Sequence, residues 1–215
     1  RTAMLRAGKS LSGATAELAS AMEIRARVLP MSDDRVSTTL DTAKGTLGFQ
    51  EYFVRERHQV AVRGVRFEGA HRARPAPGVI ENIEAAEAII FAPSNPVTSI
   101  GPILAVPGIR DALGRAKTTI AAVSPIVGGE AVSGPAGTLT KMMGWAGGIA
   151  GVAEAYKDFL DVLIADGADE GEAAALRGEN LTVLCTNTIM NSIDDKRQLA
   201  RFVLEACAKP PGATG

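Results

Sequence analysis

The sequence is poor in several of the residues that usually announce a function. Of its 215 residues only two are cysteines, Cys185 and Cys207, and neither sits in a metal-ligand spacing. Two thiols are too few for the disulfide framework of a small secreted domain. A chain of this length needs no such staples, because it can bury well over half of its unfolded surface. Cys185 lies in an apolar run and reads as a small buried hydrophobe. A reducing cytoplasm is the expected compartment. The two histidines, His58 and His71, have no nucleophile or ligand set beside them and read as surface or loop residues. Net charge is −1, with acids and bases balanced, so nothing draws the chain generally toward nucleic acid or an anionic membrane. No apolar run reaches the about 20 residues that a bilayer-spanning helix needs. No secretory signal is visible, and the chain starts at Arg1 rather than Met, as processing or an incomplete sequence would produce.

What is present is a regular alternation of strand-like and helix-like stretches, with no internal repeat and no low-complexity linker. A helix is expected over the region of Ala16, Leu18, Ala19 and Met22, capped by Ser12. "IRARVLPM" from Ile24 alternates like a strand. "VSTTLDTAKGTLGF" reads as two short strands about Ala43-Lys44-Gly45, and "FQEYFVRERH" as a short helix. Residues 1–58 are thus expected to form a small α+β appendage. From Gln59 the pattern changes. "VAVRGVRFEG" reads as a strand, "PGVIENIEAAE" as a helix started by Pro77, and "AIIFA" as a strand buried on both faces. A helical stretch follows to Pro107 and resumes in "GIRDALGRA". The strand "TTIAAVS", helices near 138–145 and 152–160, the strands "DVLIA" and "LTVLC", and a last helix over 194–207 complete the chain. Strands alternating with helices predict an α/β fold for 59–209: a three-layer, doubly wound, mostly parallel, Rossmann-like sheet. Residues 210–215 read as a disordered tail.

The segment "APSNPVTSIGPIL" breaks a buried strand with turn formers and hydroxyls. In open α/β sheets ligands bind at the carboxyl ends of strands, and free N–H groups at a helix start favour phosphate. Pro93, Ser94, Asn95, Thr98 and Ser99 are therefore candidate substrate- or nucleotide-binding residues. A strand-to-helix turn whose hydroxyls only cap the helix fits the spacing equally well. Changing Asn95, as a loop residue, is expected to lower turnover with little loss of stability. A second loop, "AAVSPIVGGEAVSGPAG", adds Ser124, Gly128, Gly129, Ser133 and Gly134, with glycines that let a ligand approach the backbone. Two such loops at one sheet edge suggest a small-molecule cleft. The pair Asp33 and Asp34 could hold Mg²⁺ with phosphates and water, or could cap a turn or pair with Arg35. Phe49, Tyr52 and Phe53 could stack on a flat ring or belong to the core. "AMLRAGKS" is not a phosphate-binding P-loop, because its loop would be Met4-Leu5-Arg6-Ala7, which reads as helix.

Taken in order, "RTAMLRAGKSLSGATAEL", "PMSDDRV", "FQEYFVRERH", "VRFEGA", "APSNPVTSIGPILAVPGIRDAL", "VSPIVGGEAVSGPAG" and "TNTIM" resemble segments of the 2-phospho-L-lactate transferase family of coenzyme F-420 biosynthesis. The resemblance covers nearly the whole chain, and its most specific block is PSNPVTSIGPIL. It implies a Mg²⁺-dependent transfer of a phospholactyl or phosphoenolpyruvyl group. The donor would be guanosine diphosphate-linked, the acceptor the ribityl hydroxyl of the deazaflavin Fo, and GMP would leave. It also implies a cytoplasmic homodimer, with Ser32, Asp33, Asp34 and Phe49 as acceptor-binding or metal candidates. The family's glycine-rich first strand-to-helix turn and Asn-Thr-x-Asp-Asp segment have no counterpart here. The chain accordingly reads as the C-terminal portion, with the main metal ligands upstream of Arg1. Gly134-Pro135 is followed by Ala136-Gly137-Thr138 with Lys141 displaced, and Asn187 stands where the family has an acid. The alternative is a non-enzymatic, YvcK-like nucleotide-sugar-binding regulator of the same fold. That class carries Gly-Pro-Gly-Ser-Leu-Tyr-Thr-Ser-Ile where this chain has PSNPVTSI.

Overall fold

The computed structural model describes residues 1–57, 59–131, 139–140, 142–178 and 180–208. His58, Ser133, Gly134, Lys141 and the expected tail lie outside them, as does part of the helix expected near 138–145. Helix α1 (Thr2–Arg6) leads into α2 (Leu11–Ala21). The cap of α2 is Ser10, whose Oγ accepts the Gly13 N–H at 3.0 Å, and not Ser12. Residues 24–31 form no strand. Their alternation is strand-like, but they pair with no strand of the small sheet, and Ile24 and Val28 are exposed.

Strands β1 (Ser37–Thr42) and β2 (Gly45–Gly48) form a hairpin about Ala43-Lys44. Thr42 Oγ1 fixes its turn, accepting the Lys44 N–H at 3.1 Å and donating to the Gly45 carbonyl at 2.8 Å. A π-helical turn, Glu51–Arg55, follows. Strand β3 (Val62–Glu68) then pairs antiparallel with β1, giving the order β2-β1-β3. The break expected at 58/59 therefore falls within one three-stranded sheet. Sequence patterning shows that 62–68 is a strand but not which neighbour it pairs with.

The second sheet is parallel. After α3 (Val79–Glu84) come β4 (Ile89–Phe91), a π-helical turn (Pro96–Ile100), α4 (Gly101–Leu104), α5 (Ile109–Arg115) and β5 (Ile120–Val123). A hairpin of β6 (Ile126–Val127) and β7 (Glu130–Ala131) follows, then α6 (Gly148–Tyr156), β8 (Val162–Asp166), α7 (Glu170–Leu176), β9 (Thr182–Thr186) and α8 (Ile193–Ala208). The sheet order is β4-β5-β8-β9, with every pair parallel. The two central strands, β5 and β8, are buried along their whole length. Ala121, Val123, Val162 and Ile164 pack against Leu199, Val203 and Ala206 of α8. Ile120, Ala122, Leu163 and Ala165 face the opposite way, into the cluster that holds Ile109 and Leu113 of α5 and Ile149 and Val152 of α6. This period-2 division makes the three layers. Each fully buried Leu or Ile contributes about 1.5–3 kcal/mol. β4 departs from the expectation of burial on both faces. It is an edge strand, and Ile90 is 43% exposed. Among the described residues, no helix is long and apolar enough to cross a membrane.

Candidate functional site

Parallel strands put their carboxyl ends at one edge. Phe91 is in register with Ala122, Ala122 with Leu163, and Asp166 with Thr186. The segments that leave these strands therefore start side by side: Pro93–Thr98 after β4, Ser124 after β5, Asp166–Asp169 after β8, and Asn187-Thr188 after β9. This edge is where an open α/β sheet binds ligands.

The geometry of the first segment favours capping. Asn95 Oδ1 accepts the N–H groups of Val97 at 2.9 Å and Thr98 at 3.1 Å, and Pro96 takes the first position of the turn, where no N–H is needed. The Ser99 and Ile100 N–H groups return to the Asn95 carbonyl at 3.0 and 3.1 Å. The phosphate cradle expected from free N–H groups is thus closed by the turn itself. The carboxamide NH₂ of Asn95 is left as the donor for a ligand. Pro93 and Ser94 are half-buried, Pro96, Val97 and Thr98 are buried, and Ser99 is exposed. Val97 joins Leu40, Leu47, Tyr52 and Leu139 in one cluster, which ties the turn to the small sheet.

The second loop is also internally engaged. Ser124 is buried, and its Oγ accepts the Ile126 N–H at 3.0 Å. Gly128 and Gly129 occupy left-handed conformations, φ 61° and 78°, as the turn between β6 and β7 requires. Their N–H groups donate to Asp169, at 3.1 Å to Oδ2 and 2.7 Å to Oδ1. An internal carboxylate occupies the place expected for a phosphate.

Ser32, Asp33 and Asp34 form a junction away from these loops in sequence. The Ser32 hydroxyl donates to the Arg74 carbonyl at 2.6 Å, and Asp34 Oδ2 accepts the Arg74 N–H at 2.9 Å. Asp33 Oδ1 accepts the Ser12 N–H at 2.6 Å. Asp34 lies 4.0 Å from the Arg74 guanidinium, so its cation partner is Arg74 and not Arg35. The Ser12 hydroxyl is buried here without a hydrogen-bond partner among the described residues. The donor set does not suit a metal: the two carboxylates anchor different segments, and the described residues include no group of three or more His, Cys, Asp or Glu side chains that could hold an ion. Phe49 stacks on Phe53 with centroids 5.7 Å apart and packs beside Tyr52, as a core residue would.

The carboxylates that organise this edge were not singled out in the sequence. Asp166 accepts the Ala168 N–H at 3.0 Å and both the N–H and hydroxyl of Thr188. Burial works to raise its pKa, but these hydrogen bonds outweigh it and hold the carboxyl below the usual aspartate range. Glu172 Oε1 accepts the Ala150 N–H at 2.9 Å, at the start of α6, where the cap residue Gly147 offers no side chain. A cavity of about 210 Å³ also lies behind the Pro96 turn, lined by Phe67, Val97, Leu104, Met143, Trp145 and Arg110. The Arg110 guanidinium is held there by Asp158 at 2.8 Å, by the Ala155 carbonyl at 3.2 Å and over the Phe159 ring. The signals were the short polar runs "DGADEGE" and "TNT", which have no apolar periodicity.

These features define a three-layer α/β protein with polar loops gathered at the carboxyl edge of its parallel sheet. Solved structures share this fold. Two crystal structures of a Bacillus halodurans protein of the UPF0052 family match with TM-scores of 0.65 and 0.62, at 15% and 18% identity. The matches cover 91% and 90% of this chain and 67% and 66% of those chains. The family model for 2-phospho-L-lactate transferase CofD matches residues 1–201, and the chain belongs to that family. The 2-phospho-L-lactate transferase of Methanosarcina mazei is 42% identical over 206 residues, 96% of this chain and 67% of the relative. That of Methanocaldococcus jannaschii is 41% identical over 211 residues, 96% and 66%. That of Methanothermobacter thermautotrophicus is 43% identical over 187 residues, 86% and 58%. The chain spans about two thirds or less of the length of these curated relatives.

Proposed function

We propose that this chain carries the greater part of a transferase of coenzyme F-420 biosynthesis, acting on a guanosine diphosphate-linked donor and the deazaflavin Fo. A phospholactyl or phosphoenolpyruvyl group moves to the Fo hydroxyl and GMP leaves. The observation that carries this is the family match over residues 1–201, shared with curated transferases at about 40% identity along almost the whole chain. The reaction is displacement at phosphorus, in which the protein aligns the hydroxyl and spreads developing charge onto N–H and amide donors. At the carboxyl edge, Asn95 NH₂, Ser94 and Ser99 are the side chains left to contact the donor. Fo presents a flat ring, and the cavity at Trp145 and Phe67 is the apolar wall that suits one. Magnesium belongs to the proposal as an ion held by ligands outside the described residues, and no step here runs through it. A cytoplasmic homodimer is part of the same proposal.

The test is a titration of the chain with Fo, with and without GDP, following Fo fluorescence and that of Trp145, the one tryptophan. Saturable binding that quenches Trp145 is the expected result. Absence of saturation both in this chain and in a longer form matching the full length of its relatives would overturn the transferase assignment. Sedimentation of the same samples reads the oligomeric state.

A further inference from the structure

Three carboxylates follow one another at intervals of three where the chain leaves β8: Asp166, Asp169 and Glu172. Each holds the backbone of a different part of the ligand edge. Asp166 takes Thr188, after β9. Asp169 takes Gly128 and Gly129, after β5. Glu172 takes Ala150, at the start of α6. Asp166 also caps the turn that follows it, through the Ala168 N–H, but Asp169 and Glu172 are not placed as caps of their own helix. Asp169 stands at the N-cap position of α7, where a carboxylate would normally bond the helix's own second or third N–H. It makes no such bond, and gives both oxygens to glycines 40 and 41 residues earlier. Glu172, in the first turn of the same helix, likewise reaches out, across 22 residues, to cap another helix.

Asp169 is 4% exposed. A buried carboxylate is tolerated only where donors satisfy it, and losing one partner leaves the other group desolvated and unpaired. The Gly128-Gly129 turn is therefore fixed to α7 with little freedom. The two glycines carry no side chains to hold the turn in place themselves. Gly148 shows the same tight fit at the other anchor: a Cβ there would run into the Glu172 carboxylate. One helical turn thus pins both the hairpin that ends at β7 and the helix α6 that follows it.

We propose that Asp169, assisted by Glu172, is a positioning residue that holds the Gly128-Gly129 turn and the start of α6 in the arrangement that receives the nucleotide part of the donor. This rests on the transferase reading above, in which the carboxyl-edge loops receive guanosine diphosphate. Asp169→Asn keeps the size of the side chain but replaces one acceptor with an NH₂ that faces a glycine N–H.

The experiment measures GDP affinity by calorimetry and amide hydrogen exchange by NMR in the wild-type chain, Asp169→Asn and Glu172→Ala. In Asp169→Asn, exchange at Gly128 and Gly129 is expected to quicken about tenfold or more, and GDP affinity to fall about tenfold, the effect of one lost charge-assisted hydrogen bond. Exchange at Leu163 and Ile164, in the centre of the sheet, is expected to stay as in the wild type. A merely structural role would instead quicken exchange throughout β8, and that result overturns the proposal. Unchanged GDP affinity with quickened glycine exchange also overturns it. Glu172→Ala repeats the test at a partly exposed position: a loss of about threefold in affinity supports the clamp, and none removes Glu172 from it. If the wild-type chain itself fails to bind GDP, the nucleotide reading falls and the role of the clamp in binding falls with it. The glycine exchange rates then still show whether Asp169 holds the turn.

Discussion

Thr188 gives both its backbone N–H and its hydroxyl to one oxygen of Asp166, each at 2.9 Å. The pair joins the ends of two adjacent parallel strands, β8 and β9. Because the bonds favour the charged form, the folded pKa of Asp166 lies below the usual 3.8. The resulting stabilisation is fully present above that usual value and is lost as pH falls through the folded one. Asp166→Asn is expected to lower stability at neutral pH by about 1–3 kcal/mol. The gap between variant and wild type should narrow as the pH drops below the usual aspartate value. Urea unfolding of both proteins across that range checks the sign, and a gap that widens on acidification contradicts the assignment.

Asn95 is a cap before it is anything else. Asn95→Ala leaves the Val97 and Thr98 N–H groups unbonded and is expected to cost about 1 kcal/mol, within the 0.5–2 kcal/mol range of cap losses. This differs from the small stability change expected of a free loop residue. Asn95→Asp keeps the accepting oxygen and should hold stability near that of the wild type, while removing the amide NH₂. If the NH₂ contacts the donor, Asn95→Asp loses GDP affinity at nearly full stability. Thermal melts and GDP titrations of the two variants separate the roles.

The sheet was legible because its strands obey simple rules. Apolar runs marked β5 and β8 as strands, and in the structure the alternation of Ala121 and Val123 with Ile120 and Ala122 divides the two faces. Pairing was not legible. Nothing in "VRGVRFE" says that it turns back to β1, and nothing in "IIF" says that it lies at an edge, since neighbours from distant sequence decide both. Residues 24–31 show the converse: strand-like alternation without a partner makes no strand. α7 escaped because "EGEAAAL" has almost no apolar periodicity. The turn formers after strands were legible as loops, and the structure puts them at the carboxyl edge of the sheet. Their internal bonding was not legible, because the role of Asp169 depends on glycines 40 and 41 residues away.

Leu40, fully buried, and Val97 meet in the cluster that couples the small sheet to the Pro96 turn. Leu40→Ala should remove about 2–5 kcal/mol, the usual cost of a buried cavity. Val97→Ala removes two methyl carbons, so its cost should be smaller. The two losses should not add, since both side chains belong to one cluster. A double-mutant cycle in urea checks this: simple additivity would mean that the turn does not lean on the small sheet.

Cys185 should be a slow nucleophile. Burial first, and then its hydrogen bond to Glu170, push the thiol up to about 11, and burial also raises Cys207. The thiolate is the reactive form, and a free cysteine titrates near 8.5, so at neutral pH Cys185 should be alkylated at least about a hundredfold more slowly than a free thiol. Glu170→Gln removes a smaller contribution than burial does, so it should quicken the reaction only modestly. Urea should release both thiols together with loss of the fold. Iodoacetamide labelling read by mass spectrometry, native and in urea, checks the order. Rapid native labelling of Cys185 would show that α7 and the end of β9 separate far more readily than their packing implies.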